Sequence, residues 1–129
     1  MQPLYPILDA EMAAAGGHDL VGCAREFTGL GLPMQQLRAK TLAGRDFLAL
    51  AERLRAVVPQ LIINDRADIA RLAGAAGVHV GQDDLAVGMV RKLDPGSWTV
   101  GVSTHNLEQA AAALTTLPDY LAVGPVYPT

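Results

Sequence analysis

The chain has 129 residues and a net charge of −3 at pH 7, with 50% hydrophobic and 18% charged residues. These values exclude a disordered chain and two ordinary domains, and they predict one globular domain over residues 1–129. They also exclude a broad basic surface for nucleic acid or anionic lipid, and no apolar run approaches the roughly 20 residues that span a bilayer, so we expect neither partner.

Short apolar runs alternate with longer amphipathic runs along the chain. In chain order the patterns predict a strand at 4–8, helix at 19–28, strand at 34–37, helix at 45–58, strand at 61–63, helix at 67–73, strand at 78–80, helix at 84–93, strand at 99–102, helix at 106–117 and strand at 120–123. This alternation indicates a parallel sheet with right-handed crossovers.

Two architectures fit such an alternation, an open doubly wound sheet and a (β/α)8 barrel of the TIM type. No Gly-x-Gly-x-x-Gly follows the first strand, as a dinucleotide fold requires. Polar residues gather after one strand after another, where barrel enzymes place their chemistry. The α/β barrel is favoured. About six parallel strands are predicted where a closed barrel has eight, so we expect an incomplete barrel.

A basic group follows the second predicted strand. Gln36 and Arg38 lie on one side of this strand by alternation, and Lys40 lies just beyond it. Such a face can grip a diphosphate, because Arg binds it bidentately and Lys adds a point charge. A solvated basic strand end explains the same residues equally well.

Acidic residues follow the third and fourth strands. Asp65, after Asn64, is a candidate ligand for Mg²⁺ or an N-cap of the next helix. Asp84 is likewise a metal ligand or a cap, and His79 is most often a hydrogen-bonded core residue in such a strand. Two acidic strand ends on neighbouring strands would approach each other, and a divalent cation would relieve their repulsion.

A hydroxyl pair follows the fifth strand. Ser103 and Thr104 precede His105 and a helix at Asn106, so hydroxyls and helix N–H groups are candidates for an anion site. Ordinary capping by Ser103, Thr104 or Asn106 is the alternative. The only cysteine, Cys23, cannot form an internal disulfide and is expected to be a buried structural thiol. With no secretory signal at the start of the chain, this favours a cytoplasmic protein.

Together, five segments resemble the thiamine-phosphate synthase family. They occur in the family's order and at compatible spacings, and they are QLRAK at 36–40, INDR at 63–66, GVHVGQDD at 77–84, GVSTH at 101–105 and GPVYPT at 124–129. The resemblance implies an Mg²⁺-dependent transferase of thiamine biosynthesis. In this family an aminopyrimidine diphosphate loses pyrophosphate, and the nitrogen of a thiazole phosphate captures the resulting cation.

The resemblance also implies a role for each matching residue. The pyrimidine diphosphate would be held by Gln36, Arg38 and Lys40 with Asn64 beside them, and Mg²⁺ by Asp65 and Asp84. Ser103 would contact the leaving diphosphate, which with Lys40 makes it a catalytic group, and Thr129 would begin a loop towards the thiazole phosphate. The physics agrees, since a departing diphosphate needs its developing charge met by a metal and fixed donors.

The family pattern continues beyond Thr129 to a lysine, two more strands and Gly-rich loops for the thiazole phosphate. We therefore expect residues 1–129 to bind diphosphate weakly and to need the missing parts for turnover. One rival is a thiazole tautomerase with the same barrel, against which the complete Gln-x-Arg-x-Lys and acidic motifs argue. Another is a non-catalytic partial barrel that a partner chain completes, or that self-associates through its open edges.

Overall fold

The computed structural model describes residues 2–94 and 96–128. Strands and helices alternate along this part of the chain: β1 Ile7–Asp9, α1 Ala10–Gly16, α2 Leu20–Gly29, β2 Met34–Arg38, α3 Gly44–Arg55, β3 Gln60–Asn64, α4 Ala67–Ala73, β4 Gly77–Val80, α5 Val87–Leu93, β5 Thr99–Thr104, α6 Leu107–Leu114 and β6 Tyr120–Val123. Among the described residues, no helix has the length and apolar character needed to cross a membrane.

The six strands form one parallel sheet in the order β1 to β6, without a reversal. A doubly wound sheet reverses its strand order at a switch point, so the sequential order favours the barrel. The sheet also curls: the hydroxyl of Tyr5, just before β1, lies 2.8 Å from the hydroxyl of Tyr120 on β6. The predicted parallel α/β architecture with six strands is confirmed.

The register explains which residues form the core. One row across the outer face of the sheet is apolar and at most 2% exposed, and it consists of Leu8, Leu37, Ile63, Val78 and Val100. The helices pack on this row; in α3 the buried residues Phe47, Ala51 and Leu54 follow helical spacing. Burying this surface drives folding. The next row, displaced by one residue, faces the barrel interior and carries the polar side chains.

The first βα unit differs from the prediction. The first strand begins at Ile7 and not at residue 4, and Leu4 is exposed. Helix α1 was not predicted, because its Ala-rich segment has no apolar periodicity. It begins after Asp9, whose carboxylate accepts a hydrogen bond of 2.9 Å from the N–H of Met12, and it ends at Gly17, with φ of 67°.

Other helix ends also differ from the prediction. Helix α5 begins at Val87 and not at residue 84, because the carboxylate of Asp84 accepts from the N–H of Gly81 in a preceding turn. Helix α6 ends at Leu114, before Leu117 adopts a φ of 54°. Cys23 is partly exposed, so the prediction that its thiol is buried was wrong.

Candidate functional site

The C-terminal ends of β2 to β5 surround a cavity of about 630 Å³, which we call the mouth cavity. Its walls include six of the predicted site residues: Arg38, Lys40, Asn64, Asp65, Asp84 and Ser103. The strands are parallel, so their carboxyl ends meet at one edge, and residues far apart in sequence converge there. Thr129, the remaining residue of the predicted set besides Gln36, lies outside the described residues.

Asp65 lies in a strained turn at the end of β3. Its φ is 65°, and the N–H of Arg66 donates to the carbonyl of Asn64 at 2.8 Å, as in a γ-turn. Non-glycine residues in such conformations cost about 1–3 kcal/mol and gather at functional sites. The carboxylate forms an ion pair with Lys40. It does not cap α4, whose N-cap is Arg66 without a side-chain hydrogen bond.

Asp84 supplies the second carboxylate of the mouth cavity. Its Oδ2 accepts from the N–H of Gly81 at 2.7 Å. Burial raises the pKa of the Asp84 carboxyl, and the neighbouring Asp65 raises that pKa further. Two such carboxylates are the hard oxygen donors that Mg²⁺ takes. Within residues 2–94 and 96–128, no group of three or more His, Cys, Asp or Glu side chains is placed to hold a metal.

Two acidic residues that were not predicted lie beside the basic groups: Asp9 pairs with Arg38, and Glu11 contacts the loop next to Lys40. The carboxylate of Asp9 lies 2.7 Å from Nη1 of Arg38. Oε1 of Glu11 accepts from the N–H and the hydroxyl of Thr41, at 2.7 and 2.8 Å. These hydrogen bonds lower the pKa of Glu11 and fix the loop next to Lys40. The Glu11 contact was not predictable, because α1, which places Glu11, was not predicted.

Gln36 and Asn64 face a smaller cavity of about 290 Å³ inside the barrel, below the mouth cavity. The Gln36 side chain is buried, and its Nε2 donates to the hydroxyl of Tyr5 at 3.2 Å. Asn64 is also buried, and its amide makes no side-chain hydrogen bond to another described residue. The Asn64 amide is therefore free to contact a ligand that reaches this depth.

His79 links Ser103 to the barrel interior. Its Nε2 lies 2.7 Å from the hydroxyl of Ser103, and its Nδ1 lies 3.0 Å from the hydroxyl of Tyr120. The side chain is 5% exposed, which confirms the interpretation of His79 as a hydrogen-bonded core residue. Burial lowers the pKa of His79, although Asp65 opposes that shift, and burial raises the pKa of Tyr120.

Side chains at the start of α6 cap the backbone there. Oδ1 of Asn106 accepts from the N–H of Gln109, and Oε1 of Gln109 accepts from the N–H of His105, both at 2.8 Å. Of the three predicted capping residues, Asn106 is the cap. Thr104 donates to the carbonyl of Ala122 instead. The N–H groups of His105 and Gln109 are thus already paired, while the Ser103 hydroxyl lines the mouth cavity.

The arrangement brings the carboxylates of Asp65 and Asp84, with Asp83 beside them, two cations and a hydroxyl to one opening. Arg38 and Lys40 keep 44% and 49% of their side chains exposed, so their charges reach the solvent in the mouth cavity. Such a set can hold an anion of high charge together with a divalent cation. Asp65 and Asp84, which were expected to approach each other, both line the mouth cavity.

Known proteins resemble this chain in fold and in sequence. The solved structure of a thiamine phosphate pyrophosphorylase from Pyrococcus furiosus superposes with a TM-score of 0.83 at 26% identity, covering 97% of this chain and 61% of that chain. A thiamine-phosphate synthase from Clostridioides difficile is 42% identical over 98% of this chain and 61% of its own length. One from Deinococcus radiodurans is 48% identical over 77% of this chain and 38% of its own length. The predicted barrel type is thus confirmed.

The match to the family extends over almost the whole sequence. The chain spans about three fifths of the length of the Clostridioides difficile relative. A family model described as thiamine monophosphate synthase matches residues 4–129. This chain belongs to the thiamine monophosphate synthase family.

Proposed function

We propose that the chain carries the pyrimidine-diphosphate site of a thiamine-phosphate synthase. The reaction couples hydroxymethylpyrimidine diphosphate with thiazole phosphate, and it yields thiamine phosphate and pyrophosphate. One observation carries the proposal: Lys40, Asp65 and Asp84 converge on one cavity from the ends of three neighbouring strands. A diphosphate that leaves needs this combination of fixed cations and metal-binding carboxylates.

Asp65 and Asp84 would hold Mg²⁺. Their two carboxylates fit this ion because it is usually bound through one or two carboxylates, with water and substrate phosphate as further ligands. Burial and the neighbouring Asp65 raise the pKa of Asp84, and a bound cation would relieve the repulsion between the two carboxylates. The chemistry that Mg²⁺ supplies when bound is neutralisation of the negative charge that develops on the departing diphosphate.

The basic and polar side chains would bind and orient the substrate. Arg38 and Lys40 line the mouth cavity, where they would hold the diphosphate. Gln36 and Asn64 face the smaller cavity below it, where the pyrimidine ring would lie. We assign catalytic roles to Lys40 and Ser103, because an ammonium and a hydroxyl at the mouth can meet charge as the bond to the diphosphate breaks.

Binding of pyrophosphate tests the site apart from turnover. Titration calorimetry with sodium pyrophosphate, with and without MgCl₂, would be performed on the whole chain and on Asp65→Asn and Asp84→Asn. We expect Mg²⁺-dependent binding that falls at least tenfold in each variant. Asp46→Asn, which changes an exposed carboxylate on α3, is the matched control and should bind like the parent. Undiminished Mg²⁺-dependent binding in both site variants would contradict the proposal.

Two further features stay predictions. The lone Cys23 favours a cytoplasmic location.

The strands β1 and β6 each have one neighbour among the described strands, and Leu107 and Leu117 are 88% and 79% exposed. Exposed strand edges and apolar side chains favour association, so we propose self-association through this surface. Light scattering gives the mass in solution, and a monodisperse 13.6 kDa species would contradict association.

A further inference from the structure

We propose that Tyr5, Tyr120 and His79 form a one-directional hydrogen-bond chain that turns the Ser103 hydroxyl into a fixed donor towards an anion in the mouth cavity. Tyr5 and Tyr120 are thus positioning residues, which act on the ligand through His79 and Ser103. The nature of the anion rests on the proposed function, whereas the direction of the chain does not. Neither tyrosine, nor His79, lines the mouth cavity itself.

The atoms of this chain are continuous across the barrel interior. Nε2 of Gln36 lies 3.2 Å from the hydroxyl of Tyr5, which lies 2.8 Å from that of Tyr120. The Tyr120 hydroxyl lies 3.0 Å from Nδ1 of His79, and Nε2 of His79 lies 2.7 Å from the hydroxyl of Ser103. All four separations are within the range of a hydrogen bond.

The Gln36 amide sets the direction of the chain. An amide NH₂ group only donates, so the Tyr5 oxygen accepts and its single proton goes to the oxygen of Tyr120. The proton of Tyr120 then goes to Nδ1 of His79. A neutral imidazole carries its proton on the other nitrogen, so Nε2–H donates to Ser103. In the reverse order the Tyr5 oxygen would accept from both Gln36 and Tyr120, and its own proton would have no acceptor within the chain.

The direction of the chain determines whether the Ser103 hydroxyl presents a proton or lone pairs to a ligand. Once its oxygen accepts from His79, its own proton is free to point into the mouth cavity, where Arg38 and Lys40 also donate. A serine that donated its proton to His79 would instead present lone pairs, which repel an anion. The chain of hydrogen bonds therefore favours an anion over a neutral or cationic ligand beside β5.

Gly101 and burial hold the chain in place. A Cβ at position 101 would overlap the Tyr120 ring, so glycine is required where β5 passes β6. The rings of Tyr5 and Tyr120 meet edge to face with centroids 5.7 Å apart, and His79 is buried beside them. These contacts hold the two hydroxyls beside each other in the chain.

The tautomer of His79 tests the direction without any ligand. The ring nitrogens of ¹⁵N-histidine-labelled protein give separate NMR signals for its three histidines, His18, His79 and His105. At pH 7.5 we expect His79 to be neutral with the proton on Nε2. Tyr120→Phe removes the donor to Nδ1 and should shift that nitrogen, while Tyr127→Phe, at an exposed tyrosine, should not. A proton on Nδ1, or on both nitrogens, overturns the proposal.

A double-mutant cycle tests the action through Ser103. With Mg²⁺ and pyrophosphate as the probe, we expect Tyr120→Phe and Ser103→Ala each to weaken binding about threefold to tenfold. The double variant should bind no more weakly than Ser103→Ala alone, because the tyrosine then has nothing left to orient. Additive losses would overturn the proposal. If Tyr120→Phe unfolds, the tautomer of His79 in the parent protein still tests the direction, and Tyr5→Phe replaces Tyr120→Phe in the cycle.

The two experiments separate this inference from the proposed function. A parent protein that binds no pyrophosphate but shows the Nε2–H tautomer would contradict the proposed function and leave the direction of the chain established. A parent that binds pyrophosphate with His79 protonated on Nδ1 would support the proposed function and overturn this inference.

Discussion

The ammonium of Lys40, just beyond β2, pairs with the carboxylate of Asp65, just beyond β3. In the ligand-free protein each group therefore neutralises the other at the mouth cavity. Binding of a diphosphate with Mg²⁺ gives each group a stronger partner, since Lys40 can turn to the anion and Asp65 to the metal. The ion pair therefore connects the residue proposed to bind the anion with the residue proposed to bind the metal.

Replacing Lys40 should therefore change the binding of the anion and the binding of the metal in different ways. In Lys40→Met we expect the affinity for pyrophosphate with Mg²⁺ to fall at least tenfold, because a charge-assisted hydrogen bond is lost. Binding of Mn²⁺ alone, followed by its electron paramagnetic resonance signal, should be unchanged or tighter, because Asp65 is released. Lys92→Met, at an exposed lysine of α5, is the control. Weaker Mn²⁺ binding in Lys40→Met would argue against a metal role for Asp65.

The strained turn at Asp65 should reveal a conflict between stability and function. Glycine adopts a φ of 65° without strain. We therefore expect the free energy of unfolding of Asp65→Gly to be about 1 kcal/mol larger than that of Asp65→Ala. Both variants lose the Lys40 pair and should lose Mg²⁺-dependent binding of pyrophosphate. Urea unfolding, followed by the fluorescence of the buried Trp98, gives the comparison. Equal stability of the two variants would show that the turn stores no strain.

Asp9 should stabilise the start of α1 in a pH-dependent way. The hydrogen bond from Met12, with help from Arg38, lowers the pKa of Asp9 in the folded protein. A lowered pKa means that this stabilisation is present above the unfolded value of about 4 and is lost as the pH falls through the folded value. At pH 7 we expect Asp9→Ala to cost about 0.5–2 kcal/mol of unfolding free energy.

A pH series of urea unfolding checks this. The difference between the parent and Asp9→Ala should shrink below pH 4. Asp9→Asn, which keeps an N-cap acceptor, should lose less than Asp9→Ala at pH 7. A difference that does not depend on pH would rule out the carboxylate charge as its cause.

Glu11 should affect ligand binding although it does not line the mouth cavity. Its two hydrogen bonds from Thr41 fix the loop that begins at Lys40. In Glu11→Ala we expect the affinity for pyrophosphate with Mg²⁺ to fall about twofold to fivefold, because the Lys40 loop must be ordered on binding. Glu52→Ala, at an exposed position of α3, is the control. Calorimetry checks both, and equal affinities for parent and Glu11→Ala would refute the effect.

The elements that were predicted well are those whose pattern of buried residues is visible in the local sequence. β3 is apolar throughout its buried middle, and α3 repeats buried residues at helical spacing, so both were found nearly at their true bounds. Helix α1 was missed because alanine fits any face, and its start depends on one hydrogen bond to Asp9. Glu11, which accepts two hydrogen bonds from Thr41 next to Lys40, was missed with it.

By itself, the sequence determined the alternation of strand and helix, the parallel sheet and the polar residues Gln36, Arg38, Lys40, Asn64, Asp65, Asp84 and Ser103 at strand ends. These follow from local patterns, since parallel strands bring their carboxyl ends to one edge. Only the tertiary structure showed that Asp65 does not cap α4, and that Asn106, not Ser103 or Thr104, caps α6. It alone brought Tyr5 to Tyr120 across 115 positions of sequence. Such contacts depend on the curl of the sheet, which no local pattern encodes.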